Sequence, residues 1–433
     1  MKHSIAWAFL ALNGLASGCL LPEERDNDGF VPIVRRQSST GTPVGTGDRF
    51  SGGSVAPRGL GSQSTSFSTL LNVNEVQSGL KGLVNTYGIT TFTAPYTTYN
   101  GNSIVGAKIG GSGTGDDAYR VYLNGNIHAR ERGSMDNILY FVSDLLYANK
   151  NNVGLTYGSK TYTAAQVKTA LSAGIVIVPN SNPDGTAYDQ SSNSCWRKNR
   201  NPASGSVGVD LNRNFDFLWD FKTLFASSVQ SSVGSTTPSS ETFHGTAAFS
   251  EPETKAIKWV FDTYSKIRWF VDLHSYTGDI LYSWGSDDNQ VNWPYMNFQN
   301  SSYNSVRGLL SDTPGSGRGY GEYTPAAENT INQNAAKRIA AGLTGGGGST
   351  YSAIQASDLY PTSGASDDYA YSRHFADTSK NLVHGYTIEF GFGNSAASCP
   401  FYPTVSQYNS NMKAVGAGFM ELLLAAVEYG LGD

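Results

Sequence analysis

The chain has 433 residues with 30 Lys and Arg against 35 Asp and Glu, and it is 39% hydrophobic, enough for one large core or two modest ones. Charged residues reach only 15%, below the roughly 25% of soluble domains, with 49 Gly and 25 Tyr in their place; this excludes a coiled coil and a charge-driven disordered chain. The net charge of −5 gives no basic field for a phosphate backbone and argues against nucleic acid as a partner.

At the N-terminus, Lys2 and His3 precede an apolar run from Ile5 to Leu15 broken only by Asn13, followed by Ala16, Ser17 and Gly18. Residues 1–18 therefore read as a secretory signal peptide, and the destination as extracellular. The run is too short for a membrane span, and no other stretch approaches twenty apolar residues. Residues 19–62 are Gly, Ser, Pro and Thr with scattered charges and no hydrophobic period, so a disordered leader or short propeptide is predicted, with Arg35 and Arg36 resembling a dibasic processing site. Residues 63–433 read as one domain without a second linker or repeat. Of three cysteines, Cys19 lies at the signal boundary, which leaves Cys195 and Cys399 to pair as a disulfide in an oxidising compartment.

A helix is predicted from about Asn74, where Val76, Leu80, Leu83 and Tyr87 share one face. Tyr119 to Leu123 reads as a strand, followed by an amphipathic helix carrying Met135, Ile138, Leu139, Val142, Leu145 and Leu146. Ile175 to Val178 reads as a strand covered on both faces. Ser250-Glu251-Pro252-Glu253 offers a capping box for a helix continued by Ile257, Val260, Phe261 and Tyr264. Trp269 to Leu273 and Tyr386 to Glu389 are further strands, and Tyr408 to Tyr429 a closing helix. Strands alternating with helices predict an α/β fold, with a mixed, mostly parallel central sheet, helices on both faces and functional residues at strand ends.

His128-Ala129-Arg130-Glu131 sets an imidazole and a carboxylate three residues apart just after a strand, and His274 ends another. Two His and one Glu leave a zinc coordination position open, the pattern of a hydrolytic site. Between them stand Trp196-Arg197-Lys198 and Asp210-Leu211-Asn212-Arg213. An Asn-Arg pair in a charge-poor chain suggests a planar clamp for a carboxylate. Downstream come Tyr360-Pro361-Thr362-Ser363-Gly364-Ala365-Ser366-Asp367-Asp368 and Thr387-Ile388-Glu389-Phe390.

Taken in this order, these segments resemble the zinc carboxypeptidases of the pancreatic A and B type, over roughly Thr65 to Asp433. The resemblance implies a single Zn²⁺ ion held by His128, Glu131 and His274, with Asp210 orienting a ligand histidine, although a simple cap remains an alternative for Asp210. It implies Glu389 as general base, Arg197 polarising the scissile carbonyl, Asn212 and Arg213 gripping the substrate's terminal carboxylate, Tyr360 closing over it, and Arg130 as a further subsite arginine. Arg130 and Arg197 could also be ordinary surface arginines. Asp367 falls at the floor of the specificity pocket, where an acid goes with terminal Lys and Arg; Asp368 leaves a one-residue alternative. His244, His374 and His384 match no ligand position and read as structural or surface residues.

The expected activity is removal of C-terminal residues from peptides and proteins, with basic or dual basic and apolar preference, by a secreted monomer. The same clamp would also suit a zinc amidase acting on cell-wall or acylated amino-acid substrates, or an inactive peptide-binding relative. Two departures from the pancreatic pattern carry expectations. The leader is short where those enzymes carry a folded inhibitory prodomain, so it is not expected to inhibit. The longer stretch between His274 and Tyr360, with Gly345 to Gly348 and a Gly-Ser-rich section near Pro314, predicts mobile surface loops.

Overall fold

Ile175-Val176-Ile177-Val178 has no polar face, and β-branched side chains on both sides of a strand need cover on both sides. In the computed structural model, which describes Leu20, Leu21, Glu24 and residues 40–203, 206–317 and 319–432, this run is a fully buried strand inside an eight-stranded sheet. The strands in chain order are β1 (Thr90–Thr97), β2 (Ser103–Ile109), β3 (Val121–Gly125), β4 (Leu155–Tyr157), β5 (Lys160–Tyr162), β6 (Ile175–Val178), β7 (Trp269–His274), β8 (Asp279–Tyr282), β9 (Asn289–Gln290), β10 (Glu322–Tyr323), β11 (Ser352–Gln355) and β12 (His384–Glu389). The main sheet runs β1-β2-β6-β3-β7-β12-β8-β11, with β4–β5 and β9–β10 as two separate small pairs. Its centre, β6, β3, β7 and β12, is parallel. On one side β2 and β1 run antiparallel; on the other, β8 is antiparallel to β12.

Successive side chains of a strand point to opposite faces, and the two faces hold two cores. Val121, Leu123, Ile175 and Ile177 pack with Leu80, Ile138, Val142, Ile339 and Leu423 on one face. Tyr122, Val176 and Val178 pack with Ile257, Phe261 and Tyr371 on the other. The first face is thus covered by helices Val73–Tyr87, Ser134–Asn151, Ala326–Gly347 and Val405–Tyr429, the second by Pro252–Thr263 and Ser366–Ala376. This is the predicted class, a mixed and mostly parallel sheet with helices on both faces. No helix among the described residues is long and apolar enough to cross a membrane.

Three local expectations are corrected. Residues 40–62, read as part of a disordered leader, lie against the first face: Phe50 and Leu60 are in its core, and Arg49 pairs with Glu75 at 2.7 Å. Isolated apolar residues without a period can still anchor a segment to a surface already built. Gly345 to Gly347 are not a loop but the last turn of the helix Ala326–Gly347. A Cβ at Gly346 would stand 2.4 Å from the Lys413 carbonyl and 2.8 Å from Ala417, so the glycine permits close approach to the C-terminal helix. The capping box at 250–253 does not form. The Ser250 hydroxyl instead donates to Glu251 at 2.6 Å and accepts from Asn214 at 2.9 Å. The predicted signal peptide and the Arg35-Arg36 pair lie outside the described residues.

Candidate metal centre and substrate cleft

The parallel strands β3, β7 and β12 end on the same side of the sheet, where ligands of α/β folds bind. His274 and Glu389 are the final residues of β7 and β12 and face each other in register. His128 and Glu131 lie on the loop from β3 to the helix Ser134–Asn151. That loop turns through Gly133 at φ 99°, a conformation that favours glycine. The Ser134 hydroxyl pins it by donating to the Leu273 carbonyl at 2.8 Å and accepting from the Asn126 amide at 2.9 Å.

His128, Glu131 and His274 are fully buried, and each offers a donor atom within 4.8 Å of the others. Nδ1 of His128 is 2.8 Å from Glu131 Oε1, and Nδ1 of His274 is 3.1 Å from Oε2. Both imidazoles turn their outer nitrogen toward a carboxylate: Nε2 of His128 meets Asp210 at 3.0 Å, and Nε2 of His274 stands 3.4 Å from Asp272. With the Nε2 hydrogen directed at a carboxylate, Nδ1 keeps its lone pair for a metal. Burial and the nearby Arg197 charge lower the His128 pKa, which favours the neutral imidazole a metal needs. Burial works to raise the Glu131 carboxyl, but the two histidines outweigh it and hold the acid well below the usual range. Two neutral nitrogens and one carboxylate converging on a point fit a zinc ion.

Asp210 caps the short 3₁₀ turn Leu211–Arg213, accepting from the Asn212 amide at 3.0 Å. Its two oxygens also hold His128 and, at 2.9 Å, Arg197, so capping and orienting coincide in one carboxylate. Arg197, Asn212, Arg213, Tyr360, Asp367 and Glu389 line a single cleft, together with Leu281, Leu359 and Thr387. Arg213 donates to the Tyr360 hydroxyl at 3.3 Å and to the Asn212 carbonyl at 2.8 Å. The Asn212 side chain accepts from the Ser366 amide at 2.8 Å, tying the clamp to the segment that carries Asp367. Asp367 accepts from the Thr387 hydroxyl at 3.1 Å, whereas both oxygens of Asp368 accept from the Gly285 amide at 3.0 and 2.9 Å. Asp367 lines the cleft, then, and Asp368 braces a loop.

Among curated and solved proteins, a family model described as zinc carboxypeptidase matches residues 79–414. The chain belongs to the zinc carboxypeptidase family. It is 28% identical over 323 residues to zinc carboxypeptidase A 1 of Drosophila melanogaster, covering 73% of this chain and 62% of that protein. To carboxypeptidase B of Bos taurus it is 30% identical over 282 residues, covering 64% and 54%. The chain thus spans less than two thirds of the length of these curated relatives. In fold it is similar to bovine thrombin-activatable fibrinolysis inhibitor, solved in complex with tick carboxypeptidase inhibitor, with a TM-score of 0.60, 19% identity and coverage of 83% of this chain and 98% of that one. It is likewise similar to carboxypeptidase A of Helicoverpa armigera, with a TM-score of 0.59, 21% identity and coverage of 83% and 74%.

In this member of the family the expected disulfide between Cys195 and Cys399 is present. Arg130 is not among the residues that line this cleft. Its guanidinium lies 4.4 Å from the centroid of the Phe401 ring and pairs with Glu24. Of the three histidines set aside, His244 stacks on Trp219, buried His384 meets Asn332 at 2.6 Å, and His374 meets the Lys380 carbonyl at 2.8 Å. Sequence reasoning missed Asp272, which also accepts from Asn124 at 2.9 Å and Ser366 at 2.6 Å. The only signal was an acid in an otherwise apolar strand, two residues before a ligand histidine. It also missed Glu24, for which no pattern was visible.

Proposed function

We propose that this chain is a secreted, monomeric zinc exopeptidase, with one metal ion, that hydrolyses the C-terminal peptide bond of peptides and proteins. The observation that carries the reading is the cleft itself, in which the cationic clamp of Arg213 with Asn212 shares walls with Glu389 and Arg197, next to the His128, Glu131 and His274 triad. A clamp for a free carboxylate in the same cleft as the reacting groups restricts cleavage to a terminal bond. Zinc in that triad supplies Lewis acidity toward a carbonyl oxygen and toward water. Glu389 takes a proton from the attacking water and returns it to the departing amine as the C–N bond breaks, so water is added across the peptide bond. Arg197, held by Asp210, directs its charge at the oxygen that becomes negative. The disulfide and the N-terminal apolar run support export.

Asp367 supports the basic or dual terminal preference. Burial raises its carboxyl above the usual range, and an incoming guanidinium or ammonium offsets that penalty, where an apolar side chain does not. The preference for Arg over Leu should therefore weaken as pH falls.

One panel tests both parts, measuring kcat/KM for matched peptides ending in Arg, Leu and Phe, each with a free or an amidated terminus. Wild type is expected to prefer free termini, and Arg213→Ala to lose at least about 100-fold on them while hardly changing the amidated series. Asp367→Ile is expected to lose Arg cleavage and keep Leu cleavage. Equal cleavage of free and amidated peptides by wild type would sink the exopeptidase reading; retained Arg preference in Asp367→Ile would sink the assignment of that residue.

A further inference from the structure

The chain carries a net charge of −5, yet one of its cavities is walled mainly by positive charge. The cavity has a volume of about 550 Å³ and lies at the edge of the main sheet opposite the candidate metal centre, between the loop that leads into β7 and the loop that leads into β12. Lys266, Arg268, Arg373 and Lys380 line it, against two acids, Asp262 and Glu328. From Arg268 along β7 to His274 is six residues of extended chain, about 20 Å, and the cavity shares no lining residue with the substrate cleft. It is a second, separate place.

The two acids do not balance the cations. Asp262 already meets three of them, Lys258 at 2.5 Å, Arg373 at 2.7 Å and Lys380 at 4.0 Å. Glu328 stands 3.7 Å from Arg268, beyond hydrogen-bond reach, and also faces His384 at 3.5 Å. Arg268 otherwise donates to the Leu382 carbonyl at 3.1 Å, and its side chain is only 17% exposed. Burial lowers the pKa of this guanidinium, and Glu328 offsets the effect only in part. Burial acts in the same sense on Arg338, but there hydrogen bonds to Glu421 and Glu428 outweigh it and raise the group. A guanidinium withdrawn from water without such a partner favours an anion in the space beside it.

The walls are fixed in advance. Asn381 Nδ2 donates to the Ile267 carbonyl at 2.9 Å and to the Lys266 carbonyl at 3.2 Å, and Arg268 reaches Leu382, so the two loops are tied to each other. Little ordering is then needed on binding. Buried Ile267, Leu382 and Val383 add an apolar surface, and the volume falls among those of small-molecule pockets, roughly 300–1,000 Å³. We propose that this cavity binds a small organic dianion, a phosphate monoester or a dicarboxylate, with its charge on Arg268, Lys266 and Lys380 and its carbon skeleton against Ile267, Leu382 and Val383. The site does not depend on peptide cleavage. Its ligand joins the loops that feed the strands of His274 and Glu389.

Hydrogen exchange on the zinc-loaded full chain tests this, since it locates a ligand as well as measuring its occupancy. Phenyl phosphate and phthalate are titrated separately, each against sodium chloride of equal ionic strength. Exchange is expected to slow in peptides spanning 262–268 and 377–383, with half-saturation below about 1 mM for at least one probe. The probe that saturates lower assigns the class of dianion. Lys266→Ala/Lys380→Ala removes two side chains outside the core and is expected to raise the half-saturation point about 10-fold, with the circular dichroism spectrum unchanged. Arg268→Gln is expected to raise it further, but it also loses the contact with Leu382, so the lysine pair carries the decision. No slowing in these peptides with either probe, slowing confined to peptides of the substrate cleft, or the same half-saturation in the lysine variant would each overturn the proposal.

Discussion

Two carboxylates, Asp210 and Asp272, sit behind the two imidazoles of the metal triad, and their surroundings differ. Asp210 is saturated by His128, Arg197 and a backbone amide, and although burial opposes it, the arginine and histidine hold its carboxyl far below the usual range. Asp272 is bound by neutral donors, Asn124 and Ser366, besides facing His274. On its Nε2 side His274 therefore leans on an acid that, among the described residues, forms no ion pair with a Lys or Arg. Asp272→Asn keeps the shape and removes the charge; zinc affinity is expected to fall by about 10- to 100-fold, read by competition with a chelator, with the circular dichroism spectrum unchanged. Equal zinc retention would reduce Asp272 to a packing residue.

Among elements, the helix Pro252–Thr263 carries a strained acid in its first turn. Glu253 is fully buried, one oxygen accepts from Asn199 at 3.0 Å, and among the described residues the other has no hydrogen-bond partner. Burial pushes its carboxyl up to about 8, above the ordinary value of 4.5, with Glu251 adding to the rise. The folded state thus binds more protons than the unfolded one between these two values. Its contribution to stability is complete below about 4.5 and is lost as pH rises through about 8. Glu253→Gln removes this titration. The melting temperature of the variant relative to wild type is expected to become more favourable from pH 5 to pH 8.5; a pH-independent difference would show that Glu253 stays ionised throughout. Elements built on large apolar residues at regular spacing were legible in the sequence to within a few positions, as with β6 and the C-terminal helix. The helix Ala326–Gly347 was not, because only Ile339 and Leu343 on its buried face are large, and Ala335, Ala336, Ala340 and Gly346 fill the rest of the contact with its neighbour.

For the molecule as a whole, the disulfide closes a span of 204 residues between the loop before Arg197 and the loop before Phe401. Restricting so long a loop in the unfolded chain stabilises the fold by about 2–5 kcal/mol. The Cys195→Ala/Cys399→Ala variant should therefore melt lower than wild type, and reductant should bring wild type down to the same value. No difference between them would mean that packing around Tyr402 alone holds the two loops. The grouping of His128, Glu131 and His274, the pairing of Asn212 with Arg213 in the cleft, and the disulfide were legible because the chemistry proposed for them demands particular residue types. The pairing of Glu24 with Arg130 was not, since one glutamate in a polar segment forms no pattern until the arginine it meets is in place.

The register of β7 with β12 sets His274 directly across from Glu389. Adjacent strands of a sheet lie about 4.8 Å apart, fixed by backbone hydrogen bonds rather than by side-chain packing. On the proposed roles, the spacing between metal ligand and proton acceptor is thus a lattice constant of the sheet. Insertions in the loops that shape the cleft can change which peptide enters without retuning that interval, so substrate range and bond-breaking geometry are free to evolve on separate parts of the chain.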